Sequence, residues 1–515
     1  MGRISIYAKT AVLLPTVVAL TACARDGRKT SHNGRAPRNV IFILSDDHRF
    51  DYMGFLGTVP YLETPNLDYL AANGAYVQNA FVTTSLSSPS RASILTGMYS
   101  HEHTVVDNAA PLPEGLIYFP EYLQGAGYST GFFGKLHMGN KDGMPLPGFD
   151  RWESLDGQGT YYNVRLNEDG EWKEYGDDEY VADLLTSHAI EFIEEHKDGP
   201  FFVYLSHKNV HDPFKASPEY EGKYAGLPNP RPASFNTPYY GIPTLPTIGP
   251  GTKPASGTDW YGEERMPDWV KQQRESWHGV DFCYNGRLDM DQEIRKYCES
   301  ISSMDRTIGD MLDYLREAGL DRNTLVIYMG DNGFAWGEHG LIDKRNFYEA
   351  SVRVPMLAYC PEIIPAGSVV TDMVQNVDIG PTVMDACGLK KAPQMRGDSF
   401  LLMLEGNPAP SDWRKRIYYE YYWEYAFPQT PTTFGVRTDR YKYIHYHGVW
   451  DTNELYDLQE DPDETRNLIG DPAYQDLAGQ LDSDLFDWLE ETGGMNIPLK
   501  RNDRKHNDWR NGHVY

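Results

Sequence analysis

The sequence predicts an α/β protein built on a large, mostly parallel or mixed sheet with helices on its faces. Two observations predict it: four apolar runs of strand length, and helical patterns lying between them. A third adds function, because each run stops at polar residues able to do chemistry. Asn39–Ser45 is an uninterrupted apolar run, of the kind buried on both faces of a parallel sheet, and it ends at Asp46-Asp47-His48. Residues 128–133 form a second run, ending at Gly134-Lys135-Leu136-His137. Residues 201–205 form a third, followed by His207 and by His211-Asp212-Pro213. Residues 325–329 form a fourth, ending at Gly330-Asp331-Asn332-Gly333. Helical patterns cover 66–73, 181–197 and 292–318. Open α/β sheets bind ligands beyond the carboxyl ends of their strands, so these four ends are expected to converge on one edge.

Composition sets bounds. A chain of 515 residues with 40% hydrophobic and 23% charged residues is globular, not a disordered chain, a coiled coil or a polytopic membrane protein. The net charge of −27 argues against nucleic acid as a partner, since a phosphate backbone needs a cationic face. An anionic substrate would therefore require a local cationic site or a bound metal. Residues 1–22 read as an export signal: Arg3 and Lys9 precede a short apolar run, too short to span a bilayer, and Leu20-Thr21-Ala22-Cys23 resembles the lipobox of bacterial lipoproteins. Lipidation of Cys23 would anchor the mature chain to a membrane, with residues 23–38 as a tether. Cys283, Cys298, Cys360 and Cys387 are too few for a disulfide scaffold, although they leave room for one bridge.

The chemistry-bearing residues fall into two groups. Asp46, Asp47, Asp331 and Asn332 offer oxygen donors only, a set that favours a hard cation such as Ca²⁺ or Mg²⁺; zinc would want imidazole or thiolate. Between the first two strands lies Ser87-Ser88-Pro89-Ser90-Arg91. Pro89 suits the first turn of a helix reaching about Thr96, and Ser88 is a candidate cap. Ser87 would then stand just ahead of a helix N-terminus, where amide groups favour anions, with Arg91 one turn along.

The Ser87–Arg91 stretch, followed by Ala-Ser-Ile-Leu-Thr-Gly97, resembles the signature of the type I, formylglycine-dependent sulfatases of the alkaline phosphatase-like superfamily, in its Ser form. Asn39 to Asp47, Gly134-Lys135-Leu136-His137, the His211 segment, and Gly330 through His339, Lys344 and Arg353-Val354-Pro355 resemble further blocks of that family in order and spacing. Segments around Arg437–Tyr443 and Glu454–Leu468 resemble its C-terminal subdomain. The resemblance implies a catalytic domain over 39–390, with a Pro/Gly-rich insertion at 213–275, and a smaller α+β subdomain on an antiparallel sheet over 391–515. It implies oxidation of Ser87 to Cα-formylglycine by a maturation enzyme able to act on serine. The hydrated aldehyde attacks sulfur, giving a sulfoenzyme whose breakdown returns the aldehyde. One Ca²⁺ is implied at Asp46, Asp47, Ser87, Asp331 and Asn332. Arg91 and Lys135 are implied to hold the diol, and His137 to act as base. His211 and Lys344 would contact the sulfate, His211 would protonate the leaving alcohol, and His339 would touch substrate. The expected substrate is a sulfated polysaccharide or its oligosaccharides, with an algal polymer such as ulvan placed ahead of a glycosaminoglycan.

Other readings exist. A phosphomonoesterase of the same superfamily would normally carry His where Asn332 stands, and a non-catalytic sugar-binding lipoprotein would not need Ser87, Arg91, His137 and Lys344 together. His207 reads as a packing residue. The Pro-rich stretch after His211 is expected to wall the substrate cleft. The aromatic run from Tyr418 to Phe427 reads as core, with sugar stacking as the other reading. The basic tail 499–515 reads as solvated.

Overall fold

The structure is a computed structural model that describes residues 38–139, 143–236, 267–274, 276, 278–280, 288–448 and 451–498. Cys23, the expected export signal, most of the expected tether, Cys283 and the 499–515 tail lie outside these residues. Among the described residues, no helix is long and apolar enough to cross a membrane. Cys298, Cys360 and Cys387 are free and buried, so no bridge forms among them.

A ten-stranded mixed sheet forms the main body. At its centre, Thr324–Gly330, Asn39–Ser45, Phe201–Ser206 and Ser129–Gly134 lie side by side and all run parallel. Their apolar residues are buried on both faces, which explains why the runs lack the alternation of a half-exposed strand. The register aligns their carboxyl ends: Ser45 faces Gly330, Leu44 faces Ser206, and Ser206 faces Gly134. One edge therefore receives the polar segments following all four. Outside this core the sheet becomes mixed, with Met356–Tyr359 antiparallel to Thr324–Gly330.

Helices cover both faces. Val181–His196 and the 28-residue Met290–Glu317 pack on one side, burying Leu185, Phe192, Ile193, Met304 and Met311 against Ile41, Val203 and Val326. Ser87–Thr96 is buried on the other side together with Phe42 and Phe202. A separate four-stranded antiparallel sheet, Arg416–Tyr421 through Glu454–Asp457, carries the Gln475–Thr492 helix. The aromatic run divides here. Tyr419, Tyr421 and Tyr422 are buried, while Trp423 and Tyr425 are exposed.

Candidate active site

Each functional side chain is set by a local feature of its strand end. Asp46 and Asp47 follow Ser45 directly. In a continuing strand they would point to opposite faces, but Asp47 adopts a left-handed backbone (φ 61°), and both carboxylates enter one cluster. His48 turns away to Tyr328 and to the Tyr52 carbonyl, and burial pushes its imidazole down to about 4. Gly134 has φ +119°, and a Cβ there would lie 1.8 Å from the Ser206 carbonyl oxygen, so only glycine allows the chain to deliver Lys135.

The helix bearing Ser87 starts two residues earlier than the sequence suggests. Ser87 is its first residue, after Leu86 as cap. Ser88 does not cap it: its amide is taken by Asn108 Oδ1 at 3.1 Å, and its hydroxyl donates to the His137 carbonyl. Long-range partners thus replace the local cap that the sequence suggests. Ser87 Oγ lies 3.4 Å from both Asp46 Oδ1 and Asn332 Oδ1, and 3.5 Å from Lys344 Nζ. These are long for hydroxyl hydrogen bonds, so its neighbours hold the Ser87 hydroxyl only weakly.

Asp46, Asp47 and Asp331 are buried, with ligand oxygens all within 4.8 Å of one another. Three cations answer them. Lys135 Nζ binds Asp46, Lys344 Nζ binds Asp47, and Arg91 places Nε 3.0 Å and Nη2 2.8 Å from Asp331 Oδ2. Arg91 Nη1 also donates to the Lys135 carbonyl and to Ser206 Oγ, each at 2.7 Å. Arg91, expected to hold the diol, has its fork on Asp331 and the strand ends. Burial alone would raise Asp46, yet Lys135, His211, Arg91 and Lys344 hold its carboxyl well below the usual range. Asp47 is pushed up to about 7, first by burial, against the pull of Lys344 and with the push of Asp46 and Asp331. Oxygen-only donors, crowding and burial together fit a hard divalent cation. Such a cation would be held by Asp46, Asp47, Asp331 and Asn332, and would supply positive charge against a sulfate oxygen.

The histidines separate. His211 Nδ1 donates to the Asp212 carbonyl at 2.9 Å, which leaves Nε2 3.7 Å from Asp47 Oδ2. His137 is half-buried, with Nε2 3.0 Å from Gln158 Nε2. His339, expected to touch substrate, is only 2% exposed and stacks on Tyr348 at 3.8 Å. Its ring is occupied by packing at the junction with the C-terminal sheet, and burial pushes it down to about 3. His207 is fully buried and also down to about 3, in keeping with packing. Within the described part of the insertion, Pro230 to Ala233 line a cavity of about 430 Å³ with Arg49, Trp336 and Glu338; Ser87 and the three aspartates are not in its lining.

Sequence reasoning missed Gln158 and Lys208. Gln158 Oε1 accepts from Lys135 Nζ at 2.5 Å, and Lys208 Nζ donates to the Gln158 carbonyl at 3.1 Å. Lys208 is 2% exposed, and burial, with Lys135 adding, pushes its ammonium down to about 8. Its place at the end of the third strand was the available signal.

Comparison with known proteins agrees with this geometry. The sulfatase family model matches residues 38–389, and the model described as N-sulphoglucosamine sulphohydrolase, C-terminal, matches 337–491. An N-acetylglucosamine-6-O-sulfatase of Bacteroides thetaiotaomicron is 32% identical over 93% of this chain and 90% of its own length. The human N-acetylglucosamine-6-sulfatase is 29% identical over 76% of this chain and 69% of its own. A solved structure in complex with its substrate D-glucosamine-2-N,6-O-disulfate superposes with a TM-score of 0.75 at 30% identity, covering 89% of this chain and 99% of the other. With three carboxylates, three cations and a serine gathered at the edge of an alkaline phosphatase-like sheet, the chain belongs to the sulfatase family and is a sulfuric ester hydrolase.

Proposed function

We propose that the protein removes the 6-O-sulfate from N-substituted glucosamine units of a glycosaminoglycan-type substrate. The observation that carries this reading is the 32% identity over nearly the whole chain to an enzyme named for that ester, supported by the relative solved with a glucosamine disulfate. The algal alternative rests on an ulvan-active sulfatase of Formosa agariphila at 25% identity, so the weight moves from ulvan to the hexosamine.

In this reading Ser87 is oxidised to Cα-formylglycine by a maturation enzyme, and its hydrate supplies the nucleophile. Ca²⁺ at Asp46, Asp47, Asp331 and Asn332 supplies charge against the sulfate. The chain's own residues do the rest. Lys344, 3.5 Å from Ser87 Oγ, and Lys135 offset the charge of the ester. The His211 ring, fixed by the Asp212 carbonyl, is the group set to protonate the leaving alcohol from Nε2; burial, with Lys135 adding, pushes its imidazole well below the ordinary value, and Asp46 pulls the other way. Arg91 keeps Asp331 and Lys135 in register. The chain is exported and lipid-anchored through Cys23 to a bacterial membrane.

Sulfate release is to be measured on 6-O-sulfated N-acetylglucosamine, its 2-O- and 3-O-sulfated counterparts, and ulvan oligosaccharides. The reading expects the 6-O ester to be preferred; preference for ulvan or for another position would overturn it.

A further inference from the structure

Gln158 sits in the turn after the Arg151–Leu155 strand and touches both Lys135 and His137. An ammonium can only donate hydrogen bonds. The amide oxygen of Gln158 must therefore face Lys135, and its NH₂ must face the imidazole. An amide NH₂ can also only donate, so His137 Nε2 accepts and carries no proton. The neutral ring then holds its proton on Nδ1. That nitrogen is buried and has no partner among the described residues. Burial, with Lys135 adding, pushes the imidazole well below its ordinary value, which keeps the ring neutral. The charges acting on it are those of Lys135, Asp46, Arg91 and His211; Asp46 lies 3.4 Å from Ser87 Oγ, and the His137 carbonyl accepts from the hydroxyl of the adjacent Ser88. Leaving a buried donor without an acceptor is costly, so the nitrogen is a site for an oxygen to bind.

We propose that Gln158 is a positioning residue that fixes His137 as the Nδ1–H tautomer, making its buried Nδ1 a hydrogen-bond donor to an oxygen of the bound sulfate ester. Lys208 acts one step further out. Its ammonium lies 3.1 Å from the Gln158 carbonyl, 3.4 Å from the Asp212 carbonyl and 5.0 Å from the Tyr161 ring, tying the Gln158 turn to the segment after Phe201–Ser206. In this resting arrangement the Nε2 lone pair is engaged, so His137 is first a donor. It takes a proton as a base only after the Gln158 amide is released. The identity of the oxygen rests on the sulfatase reading; the tautomer does not.

Two measurements decide it. Histidine-selective ¹⁵N NMR, with His137→Asn to assign the signal, should show Nδ1–H in the wild type. In Gln158→Glu the carboxylate can accept from Lys135 but cannot donate to the ring, so the proton should move to Nε2. Gln158 is exposed, so both its variants should keep the wild-type Tm. Kinetically, Gln158→Ala should lower kcat on 4-nitrophenyl sulfate about tenfold or more with KM little changed. Gln158→Ala/His137→Ala should be no slower than His137→Ala alone, because Gln158 acts through that ring. An Nε2–H ring in the wild type, an unmoved proton in Gln158→Glu, or additive losses in the double variant would overturn the proposal. Absence of any sulfate ester turnover would instead sink the functional reading, and the NMR result would still decide the tautomer.

Discussion

Two buried charge clusters in this molecule contain the same kinds of group and are built for different ends. One gathers Asp46, Asp47 and Asp331 with Arg91, Lys135 and Lys344 at the sheet edge. The other gathers Glu349 and Glu464 with Arg437 and Lys442 where the C-terminal sheet meets the main body. In the second, each cation is closed in by acceptors. Lys442 Nζ reaches Glu349, Glu464 and the Phe347 carbonyl within 2.6–2.7 Å, and Arg437 grips Glu349 at 3.0 and 3.2 Å. Each cluster has an acid pushed up to about 7, Asp47 in one and Glu464 in the other, so a perturbed carboxyl does not separate them. What separates them is geometry. Among the described residues, three carboxylates converge within 4.8 Å of one another at the sheet edge, with Ser87 Oγ 3.4 Å from one of them. The interface cluster joins two parts of the fold; the edge cluster gathers oxygen donors in a set that fits a hard cation.

This difference orders the expected effects of substitution. Asp331→Asn keeps shape but removes a ligand charge; activity should fall by ~10³-fold or more, with calcium content lost and Tm little changed. A stable, calcium-loaded and active Asp331→Asn would make the two clusters alike. Glu349→Ala should do the reverse. It leaves Arg437 and Lys442 with fewer partners in a buried setting, and urea unfolding should show a loss of about 3–5 kcal/mol, while the folded fraction keeps its turnover. Calcium at 100 times its Kd should stabilise the wild type by about 2.7 kcal/mol and Asp331→Asn by almost nothing; equal stabilisation of both would place the ion elsewhere.

The smallest expected effect concerns His101 and Glu420, 2.9 Å apart across the same junction. Burial disfavours the charged imidazole, but Glu420 outweighs it and raises the His101 value; burial likewise opposes the Glu420 carboxylate, and His101 lowers it. The His101 contribution is complete below about 6.5, the unfolded value, and is lost as pH rises through the raised folded value. The Glu420 contribution is complete above about 4.3 and is lost as pH falls through its lowered folded value. Stability at pH 5.5 minus that at pH 8.5 should therefore shrink in Glu420→Gln, by on the order of 1 kcal/mol. An unchanged difference would remove this pair from the junction's account.

The sheet and its edge were legible in the sequence because buried parallel strands write themselves as unbroken apolar runs, and because Asp46, Lys135, His211 and Asp331 each follow such a run within a few residues. The site's finer geometry was not. Nothing local predicts that Asp47 turns left-handed to bring two neighbouring carboxylates together, or that Asn108 and the His137 carbonyl relieve Ser88 of capping. Gln158 is 23 residues from Lys135 and 21 from His137, and a lone glutamine in a Gly-rich turn carries no pattern. His339 stands in a block resembling the family's, yet packing against Tyr348 decides where its ring goes.

In the proposed reaction Ser87 is the origin of the chemistry, and peptide mass spectrometry of an active preparation tests that most directly. The peptide containing residue 87 should be lighter by the two hydrogens lost when serine becomes the aldehyde, in proportion to specific activity across preparations. Full activity with every copy of Ser87 unmodified would contradict it.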